Sequence, residues 1–235
     1  MITVALFLLQ IASAQAAQAQ DCSDAELKAL SSALDLMQQG DEAAMVGTIE
    51  GSLRESSESC DRVRLSRVAL LGWIEARKLA PAGGPVSLLG PVNERLKELR
   101  AITSPSLSLE VAYADATIRA AIAAAQDERP EMALLLEQAR DLTERLSERG
   151  RRPVWPRPFN LLAGELWFEV DRYAEAVIAY ERATRADGSA AAFAGLGRSL
   201  EALGRHDEAC RAFTQVRDAA LPLRSEVTAV LAGCP

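Results

Sequence analysis

The sequence predicts an all-α chain built of stacked antiparallel helical hairpins, and three observations lead there. Gly164, Trp167, Tyr173, Ala176, Tyr180 and Ala183 recur 33 residues later as Gly197, Leu200, His206, Ala209, Phe213 and Val216. A repeat near this period marks helical hairpins in which no unit buries its apolar face alone. Alanine, leucine and charged residues dominate, with few β-branched runs that would suit a strand. Elsewhere apolar residues recur at helical spacing between Gly, Pro and Asp breaks.

The elements follow in order. Residues 1–19 are uncharged; the apolar run at 2–13 and the small-x-small site Ala17-Gln18-Ala19 predict a secretory signal peptide. That run is shorter than the roughly 20 apolar residues a spanning helix needs, so no integral membrane span is expected. Residues 20–104 form N-terminal helical hairpins: helices over 24–39 and 42–55 flank Gly40-Asp41, a third covers 61–79, and a fourth runs from Pro91 to Ile102 after the Pro81–Pro85 break. Residues 105–150 hold a degenerate repeat-like hairpin over 107–126 and 130–147, suggested by Ala120, Ala123, Leu136 and Ala139. Residues 151–158 are a Pro/Arg-rich connection that cannot be helical throughout. Residues 159–219 hold the two clear repeats, and 220–235 a C-terminal capping helix over 222–232.

Within the repeats, Gly164 and Gly197 stand mid-helix, where glycine costs about 1 kcal/mol relative to alanine. Each is therefore expected to admit a backbone or a large ring. Tyr180 and Phe213 lie four residues after Ala176 and Ala209, so small and large residues share one face of the second helix. Asp171-Arg172 and Gly204-Arg205 mark the turns inside the hairpins, and residues 186–189 the turn between them. With its small residue and large apolar residues on the first helix, then alanine, ring and alanine on the second, the segment resembles two tetratricopeptide repeats. Asn160 stands where that family commonly has tryptophan, and Ala163 where it has leucine.

The resemblance implies a solenoid whose first helices line a partner-binding surface. Carried onto this chain, the outward residues of those helices are Glu165, Phe168, Glu169, Arg198 and Glu201. Mixed charge with one ring suits a polar peptide with a basic group and an apolar anchor. A second candidate is the connection, where Arg151, Arg152 and Trp155 offer an arginine–aromatic surface for phosphates, carboxylates or sugars.

Four cysteines, at 22, 60, 210 and 234, cluster near the ends, and in an exported chain an even number implies disulfides. The separation of 38 positions from Cys22 to Cys60 matches one helical hairpin, and a folded-back last helix returns Cys234 to Cys210, so these pairings are expected. The net charge of −7 argues against a nucleic-acid partner. Arginine outnumbers lysine 23 to 3, which suggests a GC-rich bacterial source and a periplasmic or secreted protein. The lone histidine, His206, has no nucleophile near it in the pattern, and the cysteine spacings suit no zinc site, so neither enzyme activity, cofactor nor metal is expected. The sequence thus reads as a protein- or peptide-binding scaffold of the cell envelope. The alternative is an envelope glycan-binding accessory or a small peptidoglycan-acting enzyme working through the Arg/Trp connection. Oligomeric state is left open.

Overall fold

The structure, a computed structural model, describes residues 28–29, 31–33, 35–36, 42–52, 60–79, 89–151, 157–186, 188–218 and 225–234. The expected signal peptide and most of the 24–39 helix lie outside them. Among the described residues the chain is helical, with no strand. The elements are α1 (Glu42–Ser52), α2 (Asp61–Arg77), α3 (Leu89–Arg100), a 3-10 turn (Pro105–Leu107), α4 (Ser108–Ala125), α5 (Arg129–Glu148), α6 (Phe159–Glu169), α7 (Tyr173–Ala186), α8 (Ala190–Ala202), α9 (His206–Asp218) and α10 (Ser225–Ala232). Helix α3 begins two residues before the predicted Pro91, because proline is tolerated in a first turn, whose N–H groups have no intrahelical acceptor.

Sequence neighbours pack in space. Helices α4–α5, α6–α7 and α8–α9 lie together as pairs, α6 also touches α4 and α5, α7 and α6 touch α8, and α9 touches α10; α2 packs on α1, α3 and α4. The buried apolar residues pass from one pair to the next. Trp73, Leu99, Ile118 and Leu162 belong to one cluster, Leu161, Tyr180 and Ala192 to another, and Val177, Leu200, Phe213 and Val227 to a third.

Three hairpins close by the same backbone device. Asp127, Asp171 and Gly204 each take positive φ, at 58°, 60° and 72°. The next residue's N–H then reaches back to a helical carbonyl: Glu128 to Ala123 at 2.8 Å, Arg172 to Trp167 at 2.9 Å and Arg205 to Leu200 at 2.9 Å. Such left-handed ends satisfy carbonyls that the helix leaves unpaired. Arg172 pairs with Glu175, and Arg205 with Glu208 at 2.7 Å, so the second and third turns share a side-chain clasp as well.

The mid-helix glycines receive rings, as their positions predict. A Cβ on Gly164 would stand 2.8 Å from the Tyr180 ring, and one on Gly197 2.6 Å from the Phe213 ring. Gly195 of α8 closes on the other side of Tyr180, so that ring, 1% exposed, is seated between glycines of two hairpins. Gly195 was not singled out by the repeat pattern, because the position it equals in the first copy is Leu162.

Cys210 and Cys234 form a disulfide with Cα atoms 5.7 Å apart, tying α9 to the chain end beyond α10. Cys60 is disulfide-bonded rather than a free thiol, and its Sγ accepts from the Val63 N–H at the start of α2. Cys22, and with it the expected Cys22–Cys60 pairing, lies outside the described residues.

Two stability outcomes follow. Gly164→Ala and Gly197→Ala should each destabilise by about 1–3 kcal/mol because a rigid ring occupies the space of the new methyl. Gly47→Ala in α1, where a Cβ meets nothing within 4 Å, should be neutral or stabilise by up to about 1 kcal/mol. Equal effects of the three in thermal melts would remove the ring seats from the account. Replacing both Cys210 and Cys234 by serine should cost roughly 3 kcal/mol in urea unfolding, since the bridge closes a loop of sequence separation 24; an unchanged midpoint would show that α10 docks without it.

Candidate functional site

The ring seats fix which side of α6 and α8 faces outward. Glu165, Phe168 and Glu169 fall at i, i+3 and i+4 on α6, and Arg198 and Glu201 at i and i+3 on α8, so each set shares one helical face. Arg198 and Glu201 occupy in the second hairpin the places that Glu165 and Phe168 hold in the first. Phe168 joins the two sets: its ring lies 5.3 Å from that of Tyr173, and the Arg198 guanidinium carbon is 5.4 Å from its centroid. An arginine over an aromatic face is held by the ring quadrupole.

The two carboxylates of α6 are not freely solvated, which corrects the expectation that they simply point outward. Arg77, the last residue of α2, reaches across to both. Its Nη1 donates to Glu165 Oε2 at 3.2 Å, its Nε to Glu169 Oε1 at 2.9 Å, and its Nη2 to the same Glu169 oxygen. Glu165 Oε1 pairs with Arg157 Nη1 at 3.2 Å, and these side chains are only 12% and 7% exposed. The Arg157 carbonyl in turn accepts from the Tyr113 hydroxyl at 2.7 Å, anchoring the end of the Pro/Arg connection on α4. Reversing both glutamates to arginine would therefore set like charges against Arg77 and Arg157 and weaken the fold. Arg77 also lies over Trp73, its guanidinium carbon 5.6 Å from the ring centroid.

The α8 side is less saturated. Glu201 Oε1 meets His206 Nδ1 at 2.8 Å, which links α8 to the first residue of α9, while Glu201 Oε2 and Arg198 Nε are buried without a hydrogen-bond partner. Of the second candidate set, Arg151 is engaged locally, donating to the Ser106 carbonyl at 2.5 Å and pairing with Glu110 at 2.9 Å. Arg152 and Trp155 lie outside the described residues. Sequence reasoning missed Arg77 and Arg157, whose partners lie on another helix and carry no local signal.

A separate groove of about 330 Å³ runs between α5, α6 and α7, lined by Ala133, Phe159, Asn160, Ala163, Ile178 and Arg182 among others. The small Ala163 and the polar Asn160 of α6 line it together with Ile178, which is 51% exposed.

Burial holds the Glu169 carboxyl above the ordinary carboxylate range; Arg77 opposes this by charge and hydrogen bond, Glu165 adds to it and Arg198 opposes it. A carboxyl whose pKa is higher folded than unfolded favours the protonated folded state, so its stabilising contribution is present at acid pH and lost as pH rises through the carboxylate range. Urea titrations should accordingly show wild type losing stability relative to Glu169→Gln over that rise. The opposite slope would mean that Arg77 outweighs burial.

Comparison with protein-family models, with curated proteins and with solved structures found no match to this chain, so its residues alone carry the functional reading.

Proposed function

We propose that this chain is a protein- or peptide-binding scaffold of the bacterial cell envelope, exported by residues 1–19, in which α6–α9 act as two tetratricopeptide-like repeats and α10 caps them. The pair α4–α5 is the degenerate unit before them, since it shares their left-handed turn and buries Ala120, Ala123, Leu136 and Ala139. The observation that carries the reading is the placement of equivalent residues of α6 and α8 on one face, with Phe168 held between Tyr173 and Arg198. A half-buried ring with an arginine over one face and a second ring beside it suits an extended peptide. The ring takes an apolar anchor.

An adaptor of this kind requires no catalytic residue and no cofactor, and its repeats supply area and shape rather than chemistry. Export supports the same reading through the disulfide between Cys210 and Cys234, because such bridges persist in oxidising compartments.

The test is capture from envelope extract by the immobilised mature chain and by Phe168→Ala and Arg198→Ala variants of it. Wild type should retain a defined protein partner, and each variant, with helicity and melting curve near wild type, should lose at least about tenfold in affinity, the effect of one contact of roughly 1.4 kcal/mol. Undiminished capture by both variants would move the site off this face. Retention on peptidoglycan with no protein partner would favour a glycan-binding accessory or a small peptidoglycan-acting enzyme instead.

A further inference from the structure

We propose that the groove between α5 and α7 is a second docking site, which receives a helix of a partner protein through one large apolar side chain and a carboxylate one turn from it. Asn160, Ala163 and Trp167, at i, i+3 and i+7, put this groove on the side of α6 opposite Glu165 and Glu169, so the site is independent of the α6–α8 face.

The groove exists because one hairpin junction is filled and the other is not. Asn160 and Ala163 of α6 correspond, 33 positions on, to Phe193 and Leu196 of α8. Leu196 packs on two clusters, that of Tyr180 and that of Phe213, and α8 lies closely against α7. At the earlier junction the smaller pair leaves about 330 Å³ open between the helices. Residues 149–158 link α5 to α6, whereas only 187–189 link α7 to α8, so the longer connection allows the earlier hairpins to stand apart. A packed chain has few voids larger than a water molecule, and the side chains lining one forgo contacts that an inserted group restores.

Both walls have the spacing of a helix-binding surface. Ala133, Leu136, Glu137 and Arg140 on α5 fall at i, i+3, i+4 and i+7, and so do Glu175, Ile178, Ala179 and Arg182 on α7. Such rows are the ridges against which another helix packs. Ile178 is 51% exposed, and Leu134, one turn before Glu137, is 61% exposed, so apolar surface continues from the groove onto its α5 rim.

Charge selects the partner. Of the four charged residues that line the groove, Glu137 and Arg140 pair with each other at 3.0 Å and Glu175 pairs with Arg172. Arg182 makes no hydrogen bond or ion pair among the described residues. It stands one turn beyond Ile178. An apolar side chain seated against Ile178 therefore brings an acidic residue one turn along its own helix within reach of the Arg182 guanidinium, whereas a basic residue there meets like charge.

The experiment titrates the full mature chain with the peptide acetyl-AQAAWAAQEAAQAA-amide, whose ring and carboxylate stand one helical turn apart, and follows it by NMR. Wild type should bind this peptide at least about tenfold more tightly than one with Ala in place of Trp, and about two- to fivefold more tightly than one with Lys in place of Glu. Arg182→Ala should remove the second preference and keep the first. Ala163→Leu, which gives α6 the residue that α8 carries, should fill the groove and cost at least about tenfold in affinity with Tm unchanged or raised. Should Ala163→Leu fail to fold, Ile178→Ser alters only an exposed side chain and should weaken binding at least about threefold. No binding to wild type, undiminished binding by the folded variants, or no preference for the acidic peptide overturns the inference. Dimerisation of wild type in sedimentation velocity that Ile178→Ser abolishes also overturns it, since the occupant is then a second copy of this chain.

Discussion

The packing of an aromatic ring onto a glycine backbone is the constraint on which the rest of this structure depends. Tyr180 is seated against Gly164 and Gly195, and Phe213 against Gly197. A side chain at any of these glycines would push the helices apart, and interiors packed at crystal-like density do not absorb such a shift cheaply. Because the Gly164–Tyr180 contact recurs 33 residues later as Gly197–Phe213, α6 and α8 are rotated alike about their axes. That shared rotation, and nothing local to the polar residues, brings Glu165 and Phe168 into line with Arg198 and Glu201.

The face so formed is electrically uneven. On α6 the carboxylates are matched by Arg77 and Arg157, and little of them is left to solvent. On α8, Arg198 leans on Phe168 and Glu201 holds His206, each with a buried polar atom still unpaired. Unpaired buried groups are costly, at about 1–3 kcal/mol each, so the α8 half is the less completely satisfied of the two.

Much of the fold was legible because its determinants are local or periodic. The small–large alternation of Ala176 with Tyr180 and of Ala209 with Phe213 gave the hairpins, and Asp171 and Gly204 marked turns that do take positive φ. The closing bridge between Cys210 and Cys234 was expected from the even number of cysteines and a last helix that folds back. Gly195 escaped notice because its role comes from a ring on the preceding hairpin, outside the 33-residue register. Arg77 and Arg157 escaped for the same kind of reason: in a chain with 23 arginines, nothing near either residue distinguishes a guanidinium that meets a distant carboxylate from one that meets water. Helical periodicity assigned Glu165 and Glu169 a direction but not what stands opposite them, which is Arg77.

The ring seat admits a direct measurement. In a double-mutant cycle combining Gly197→Ala with Phe213→Leu, removal of the ring should relieve most of the cost of the added methyl, giving a coupling of about 1–3 kcal/mol in urea unfolding. Additive effects of the two substitutions would show that ring and glycine do not set each other's position, and the alignment of α6 with α8 would need another cause.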